Sequence, residues 1–178
     1  MKRPILLLLL PLIAFVLMGQ ESCSTETVDD PDSGGEGKSK SPKARIGQTV
    51  TLKGTDTKMR VTPLSVKPVS GGELDTPASG KRYVGVKLRL RNVGETTYDD
   101  APSNGAKLLT RSGEQADPTI VTGGPCAGSF DSDTTISAGG SRQGCLPFEV
   151  PKGAKLVGFQ FGLDSGFGPQ TGEWRVKR

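Results

Sequence analysis

Cys23, Cys126 and Cys145 are the three thiols of a 178-residue chain that contains no histidine, so the groups able to do chemistry are few and separable. Cys126 and Cys145 would close a loop of about 20 residues, and in an oxidising compartment they are expected to pair as a structural disulfide contributing about 3 kcal/mol. A redox pair would favour Cys-x-x-Cys spacing and a zinc site would require further Cys or His ligands; the chain offers neither. Cys23 is then the odd thiol, and thioether lipidation accounts for it. Lack of histidine removes Ser-His-Asp and Cys-His nucleophile systems. Gly123-Gly124-Pro125-Cys126 is not followed by Gly-Lys-Ser/Thr, so it is no phosphate loop. The carboxylate pairs Asp99-Asp100 and Asp131/Asp133 are nominal candidates for glycosidase chemistry. Adjacent acids in polar loops read instead as solvated turn residues, and Asp131-x-Asp133 lacks the remaining ligands of a calcium loop. No catalytic residue, metal or cofactor is assigned, and the chain is read as non-enzymatic.

Charge is the other chemistry on offer. The chain holds 23 Lys+Arg against 19 Asp+Glu, and Lys87, Arg89 and Arg91 fall on every second position of one apolar-alternating segment. Lys58 and Arg60 would share their orientation on a neighbouring strand. Such a stripe is either the ordinary polar outside of a half-exposed sheet or a polyanion-binding face, attracting lipid headgroups or anionic wall polymer in a salt-sensitive way. Nucleic acid is a poor partner, since no aromatic platform interleaves the charges.

The elements that position these groups begin with a targeting segment. Lys2 and Arg3 precede a run from Ile5 to Met18 that is apolar except for Pro11. As a helix the run would span about 21 Å at about 1.5 Å per residue, short of a hydrocarbon core of about 30 Å, so residues 1–22 are read as a cleaved export signal. Gln20 and Glu21 depart from the aliphatic and small residues that usually precede a lipidated cysteine. Composition then changes abruptly: residues 23–45 carry Val28 as their single large aliphatic side chain. They are read as a lipid-anchored, disordered linker with a reach of about 26 Å. The expected location is the outer face of the cell membrane, with secretion as the alternative.

Residues 46–178 form one domain by length. Helical period is absent, whereas period-two alternation recurs between Gly, Pro, Asn and Ser punctuation. Strands are expected at Thr49–Lys53 and Lys58–Thr62, with Pro63 breaking the phase as a bulge before Leu64 and Val66. The clearest strand, Arg82–Asn92, turns Val84, Val86, Leu88 and Leu90 inward. Lys107–Arg111, Thr119–Thr122, Thr134–Ser137, Gln143–Val150 and Lys155–Leu163 follow, the last with Val157, Phe159, Phe161 and Leu163 on one face. Trp174 and Val176 close the chain, the tryptophan as a core or edge plug. About eight short strands predict an all-β, immunoglobulin-like antiparallel sandwich.

The order of these features resembles a known family. Gly47-Gln-Thr-Val-Thr-Leu52, then Tyr83-Val-Gly-Val-Lys-Leu-Arg-Leu-Arg-Asn92, then Phe148-Glu-Val-Pro-Lys152 and a final apolar strand are similar to the extracellular immunoglobulin-like domain of unknown function of Gram-positive lipoproteins. That domain is related in fold to a secreted mycobacterial immunogenic antigen. The resemblance implies a β-sandwich lipoprotein and carries no catalytic or binding residues to transfer. The expected function is therefore a non-catalytic, surface-displayed binding or accessory module. Its expected partners are the membrane through Cys23 and a surface protein or anionic wall polymer. A passive structural or immunogenic secreted protein, and more distantly a carboxylate enzyme, are the alternatives.

Overall fold

The computed structural model describes residues 44–130 and 132–177, together with a two-residue strand, β1 (Thr27–Val28). The expected signal segment, Cys23 and Asp131 lie outside the described residues. Eleven further strands follow: β2 (Ala44–Arg45), β3 (Thr49–Lys53), β4 (Lys58–Pro68), β5 (Lys81–Asn92), β6 (Tyr98–Asp100), β7 (Ala106–Thr110), β8 (Gln115–Ala116), β9 (Thr134–Ile136), β10 (Ser141–Pro151), β11 (Leu156–Gly162) and β12 (Thr171–Arg175). A single 3-10 turn, Asp164–Gly166, precedes β12.

One five-stranded sheet runs β1-β3-β4-β5-β10 and a second runs β2-β12-β11-β7-β8, while β6 and β9 pair as a separate ribbon. Neighbours are antiparallel apart from β1 on β3 and β2 on β12. The result is the β-sandwich that the alternation predicts. Val84, Val86, Leu88 and Leu90 of β5 and Leu146, Phe148 and Val150 of β10 are fully buried against Leu108, Phe159, Phe161 and Trp174 of the opposing sheet. Phe148 meets Phe159 edge to face at 6.4 Å and joins the two layers. Complete burial of each such side chain is worth about 1.5–3 kcal/mol, which fixes the register of the central strands.

The break at Pro63 is a bulge, as expected: Pro63 pairs with Leu88 and Ser65 with Lys87, leaving Leu64 unpaired. Two expectations fail. Val157 does not join Phe159 and Phe161 inside, because a register shift between Leu156 and Gly158 turns it outward, to 36% exposure. Thr119–Thr122 is no strand; Pro118 forms an isolated bridge with Phe148, and Thr119 N–H donates to the Pro147 carbonyl. What holds that segment is loop chemistry, described below.

Strand β10 borders its sheet and carries Pro147 and Pro151, which have no N–H to offer a further strand. Over its outer face and that of β5 lies a small second cluster of Tyr83, Val121 and Cys126, flanked by Val69, Ala127 and Cys145. The disulfide Cys126–Cys145, with Cα atoms 4.8 Å apart, pins this flap. Gly85 is the floor beneath it: a Cβ there would come within 2.6 Å of Cys126 Sγ.

Candidate functional site

The basic stripe is a feature of strand registration. In β5 the inward positions are apolar, so Lys87, Arg89 and Arg91 necessarily point to the other face. Arg60 of β4 stands directly opposite Arg91, and Lys58 directly opposite Lys53 of β3. Lys58, Arg60, Lys87, Arg89 and Arg91 are all exposed. The structure thus brings together the five residues singled out in the sequence and adds Lys53 to them.

Apart from the Arg60–Arg91 and Lys53–Lys58 pairs, the cross-strand neighbours of these cations are uncharged. Arg89 lies between Thr62 and Gln143, Arg91 between Arg60 and Ser141, and Lys87 between Ser65 and Cys145. With its amide oxygen turned to the guanidinium, Gln143 accepts from Arg89 Nη2 at 3.0 Å and Nε at 3.1 Å. None of the five makes an ion pair among the described residues. Glu149 shares this face of β10 but sits opposite Tyr83. It accepts from Ala78 N–H at 2.6 Å and Lys81 Nζ at 3.3 Å, and the Ala78 bond, with the Lys81 charge, holds its carboxyl below the usual range. Like charges directly opposite each other in a sheet are unfavourable by about 0.2–1 kcal/mol per pair, so this arrangement opposes folding slightly and has no counter-charge among the described residues. The flap pinned at Cys145 bounds the stripe beside Lys87.

Of the other sequence candidates, Asp99, Asp100 and Trp174 have structural roles. Asp99 accepts from Thr135 Oγ1 at 3.1 Å across the β6–β9 ribbon. Asp100 accepts from Ser165 N–H at 2.7 Å and Ser165 Oγ at 2.6 Å, which holds the turn where Asp164 and Ser165 both adopt φ of 55°. Asp133 is exposed. Trp174 is a core plug: it is wholly buried and donates from Nε1 to the Gln48 carbonyl at 2.9 Å.

A carboxylate that sequence reasoning missed organises the flap. Asp75 Oδ2 accepts from the N–H groups of Gly72 at 2.6 Å, Thr122 at 2.7 Å and Gly123 at 3.0 Å, while Oδ1 accepts from Thr122 Oγ1 at 3.0 Å. These bonds favour the ionised form, the Gly72 amide foremost, and lower the Asp75 pKa. They also draw the end of the 119–122 segment away from the sheet: the Thr122 and Gly123 amides go to a carboxylate instead of a partner strand. Asp in a Gly-rich segment, Gly71-Gly72-Glu73-Leu74-Asp75, was the available signal.

A family profile described as a domain of unknown function, DUF4352, matches residues 44–169. The chain belongs to the DUF4352 family. Its sandwich resembles those of several solved proteins at low sequence identity. The yjhA protein of Bacillus subtilis is 14% identical with a TM-score of 0.54, over 75% of this chain and 99% of that one. The secreted protein MPT63 of Mycobacterium tuberculosis is 13% identical with a TM-score of 0.51, over 75% and 96%. The candidate lipoprotein ycdA of Bacillus subtilis is 18% identical with a TM-score of 0.52. There the match covers 70% of this chain but only 38% of ycdA. Identities in this range establish a common fold, including the fold kinship to a secreted mycobacterial protein expected from the sequence. No curated protein matches the sequence. The DUF4352 description assigns no activity, so function must be argued from the face itself.

Proposed function

We propose that this DUF4352 protein is a non-catalytic binding module of the extracytoplasmic surface, tethered by lipid at Cys23, that engages polyanions through the outer face of β4, β5 and β10. The observation that carries this reading is Arg60 set directly opposite Arg91, with no carboxylate paired to either among the described residues. Uncompensated cation pairs on a flat, exposed face attract extended anions, and the attraction is screened over a Debye length of about 10 Å at 0.1 M salt. Anionic wall polymer or lipid headgroups supply such charge outside a cell. The export signal and Cys23 support the location, and secreted and candidate-lipoprotein proteins of the same fold are in keeping with it.

The triple variant Lys87→Glu/Arg89→Glu/Arg91→Glu is expected to bind isolated cell walls at least about tenfold more weakly at low salt, as the loss of several exposed ionic contacts would give. Wild-type binding should fall steeply as salt rises. Unchanged binding by the triple variant in a pelleting assay would reject the face. Anchoring is tested separately: Cys23→Ser should move the protein from the membrane to the soluble fraction on cell fractionation. A variant that stays with the membrane would reject the lipid tether.

A further inference from the structure

A second cationic feature lies at one end of the sandwich, away from the stripe. Pro68 at the end of β4, Arg82 at the start of β5, Arg111 after β7, Lys155 and Leu156 at the start of β11, and Val176 and Lys177 after β12 line an open cleft of about 540 Å³. That volume lies within the range of about 300–1,000 Å³ typical of small-ligand sites. Four of its seven described lining residues are basic and none is acidic. The four cations come from four separate segments, so the sandwich closure, not a run of charged sequence, gathers them.

Backbone geometry builds the site. Arg111 N–H donates to the Lys155 carbonyl at 2.8 Å, and Val176 N–H to the Val157 carbonyl at 3.1 Å, which brings the ends of β7, β11 and β12 together. Arg82 is held by the turn after β10: its Nε donates to the Lys152 carbonyl at 3.3 Å and Nη2 to the Ala154 carbonyl at 3.2 Å. These contacts preorganise one guanidinium and leave its Nη1 for a ligand. The bulge between Leu156 and Gly158 leaves Leu156 half-buried, beside a half-buried Val176. The cleft therefore combines a cationic rim with an apolar lining of half-buried Leu156 and Val176 and exposed Pro68.

We infer that this cleft binds a phosphate-headed amphiphile, with the phosphate on Arg82, Arg111, Lys155 and Lys177 and the alkyl body on Pro68, Leu156 and Val176. Guanidinium groups bind phosphate oxygens in bidentate fashion, and lysines add point charge. A bare inorganic anion would leave the apolar lining wet, and a neutral amphiphile would leave the cations without counter-charge. Nucleic acid is disfavoured because no aromatic side chain among the described residues lines the cleft on which a base could stack.

The test uses n-decyl phosphate below its micellar concentration, titrated calorimetrically into the full chain, beside inorganic phosphate, a decyl maltoside and phosphatidylglycerol vesicles. Saturable binding of decyl phosphate is expected, with inorganic phosphate and the maltoside at least about tenfold weaker. Arg111→Ala/Lys155→Ala, both exposed positions, should weaken decyl phosphate at least about tenfold through loss of charge-assisted contacts. Lys87→Glu/Arg89→Glu/Arg91→Glu should bind it as the wild type does, which separates this site from the stripe. In the Lys87→Glu/Arg89→Glu/Arg91→Glu variant, whose stripe no longer attracts anionic lipid, binding of the vesicles as well as the monomer identifies a membrane-borne ligand, and binding of the monomer alone a free one. Equal binding of inorganic phosphate and decyl phosphate, or an unaffected Arg111→Ala/Lys155→Ala variant, overturns the assignment.

Discussion

Trp174→Ala is expected to lower the unfolding free energy by about 3–5 kcal/mol, the range for truncating a large aromatic in a packed core. The indole is fully buried, lies 5.9 Å from the Phe159 ring, and rests over Gly172, where a Cβ would come within 2.5 Å of Cη2. Nothing small can collapse into that volume from the Gly172 side. The loss is compounded by the bond from Nε1 to the Gln48 carbonyl, which ties the turn before β3 to β12. Trp174 also pairs with Ala44, so β2 loses its support when the ring is removed. Trp174→Phe keeps much of the volume and should fall between the two, its deficit tracing mainly to the orphaned Gln48 carbonyl. Urea unfolding followed by far-UV circular dichroism measures both, since the lone tryptophan cannot report on its own removal. A domain with total stability of about 5–15 kcal/mol would be left marginal, and a Trp174→Ala loss under about 1 kcal/mol would show that the core closes without it.

Asn92→Ala should cost about 2–4 kcal/mol by a different route. Asn92 is wholly buried at the end of β5 and every polar atom of its amide is engaged. Nδ2 donates to the carbonyls of Thr96 at 2.8 Å and Ile136 at 2.9 Å, and Oδ1 accepts from Gly94 N–H at 3.0 Å. One side chain therefore closes the turn after β5 and hangs the β6–β9 ribbon on the main sheet. Removing it takes the Nδ2 donor from the Thr96 and Ile136 carbonyls, while Gly94 N–H keeps its bond to the Lys58 carbonyl at 3.0 Å; each buried group left unpaired carries a penalty of about 1–3 kcal/mol. Asn92→Asp is the informative companion. It preserves the Gly94 bond but aims a carboxylate at two carbonyl oxygens, so it should destabilise at neutral pH and recover as the pH is lowered. A pH-independent loss of equal size in both variants would remove the hydrogen-bonding account.

How much of this was legible beforehand follows from the reach of each interaction. Strands with both alternation and length, such as β5, announced their inward face because four apolar side chains at period two have one place to go. The stripe was legible for the same reason, being the complement of that face. What the sequence could not disclose was that Arg60 and Arg91 stand opposite each other, since that depends on where the Pro63 bulge sets the register. Val157 shows the same limitation from the other side: one extra residue at a bulge reversed a position that the alternation assigned inward. Tyr98 and Phe130 were missed altogether, although both are buried in the main core. Each is a single aromatic in a polar, Gly- or Ser-rich stretch, with no neighbours to set a period. Phe130 packs over Gly144, where a Cβ would meet the ring at 2.5 Å, so its place is set by a missing side chain 14 positions away. The cleft was hidden for a similar reason, since its cations are gathered only once both sheets have closed.

The prolines of β10 have a consequence for crowding. A long border strand with all its amides free would template the same strand of a second copy, and repeated pairing of that kind leads towards fibrils. Pro147 and Pro151 interrupt that ladder at two points, and the Pro118–Thr119 segment already occupies the backbone around Pro147 and Phe148. Copies packed densely side by side can therefore jostle without zippering together, so each keeps its own two faces open to solution.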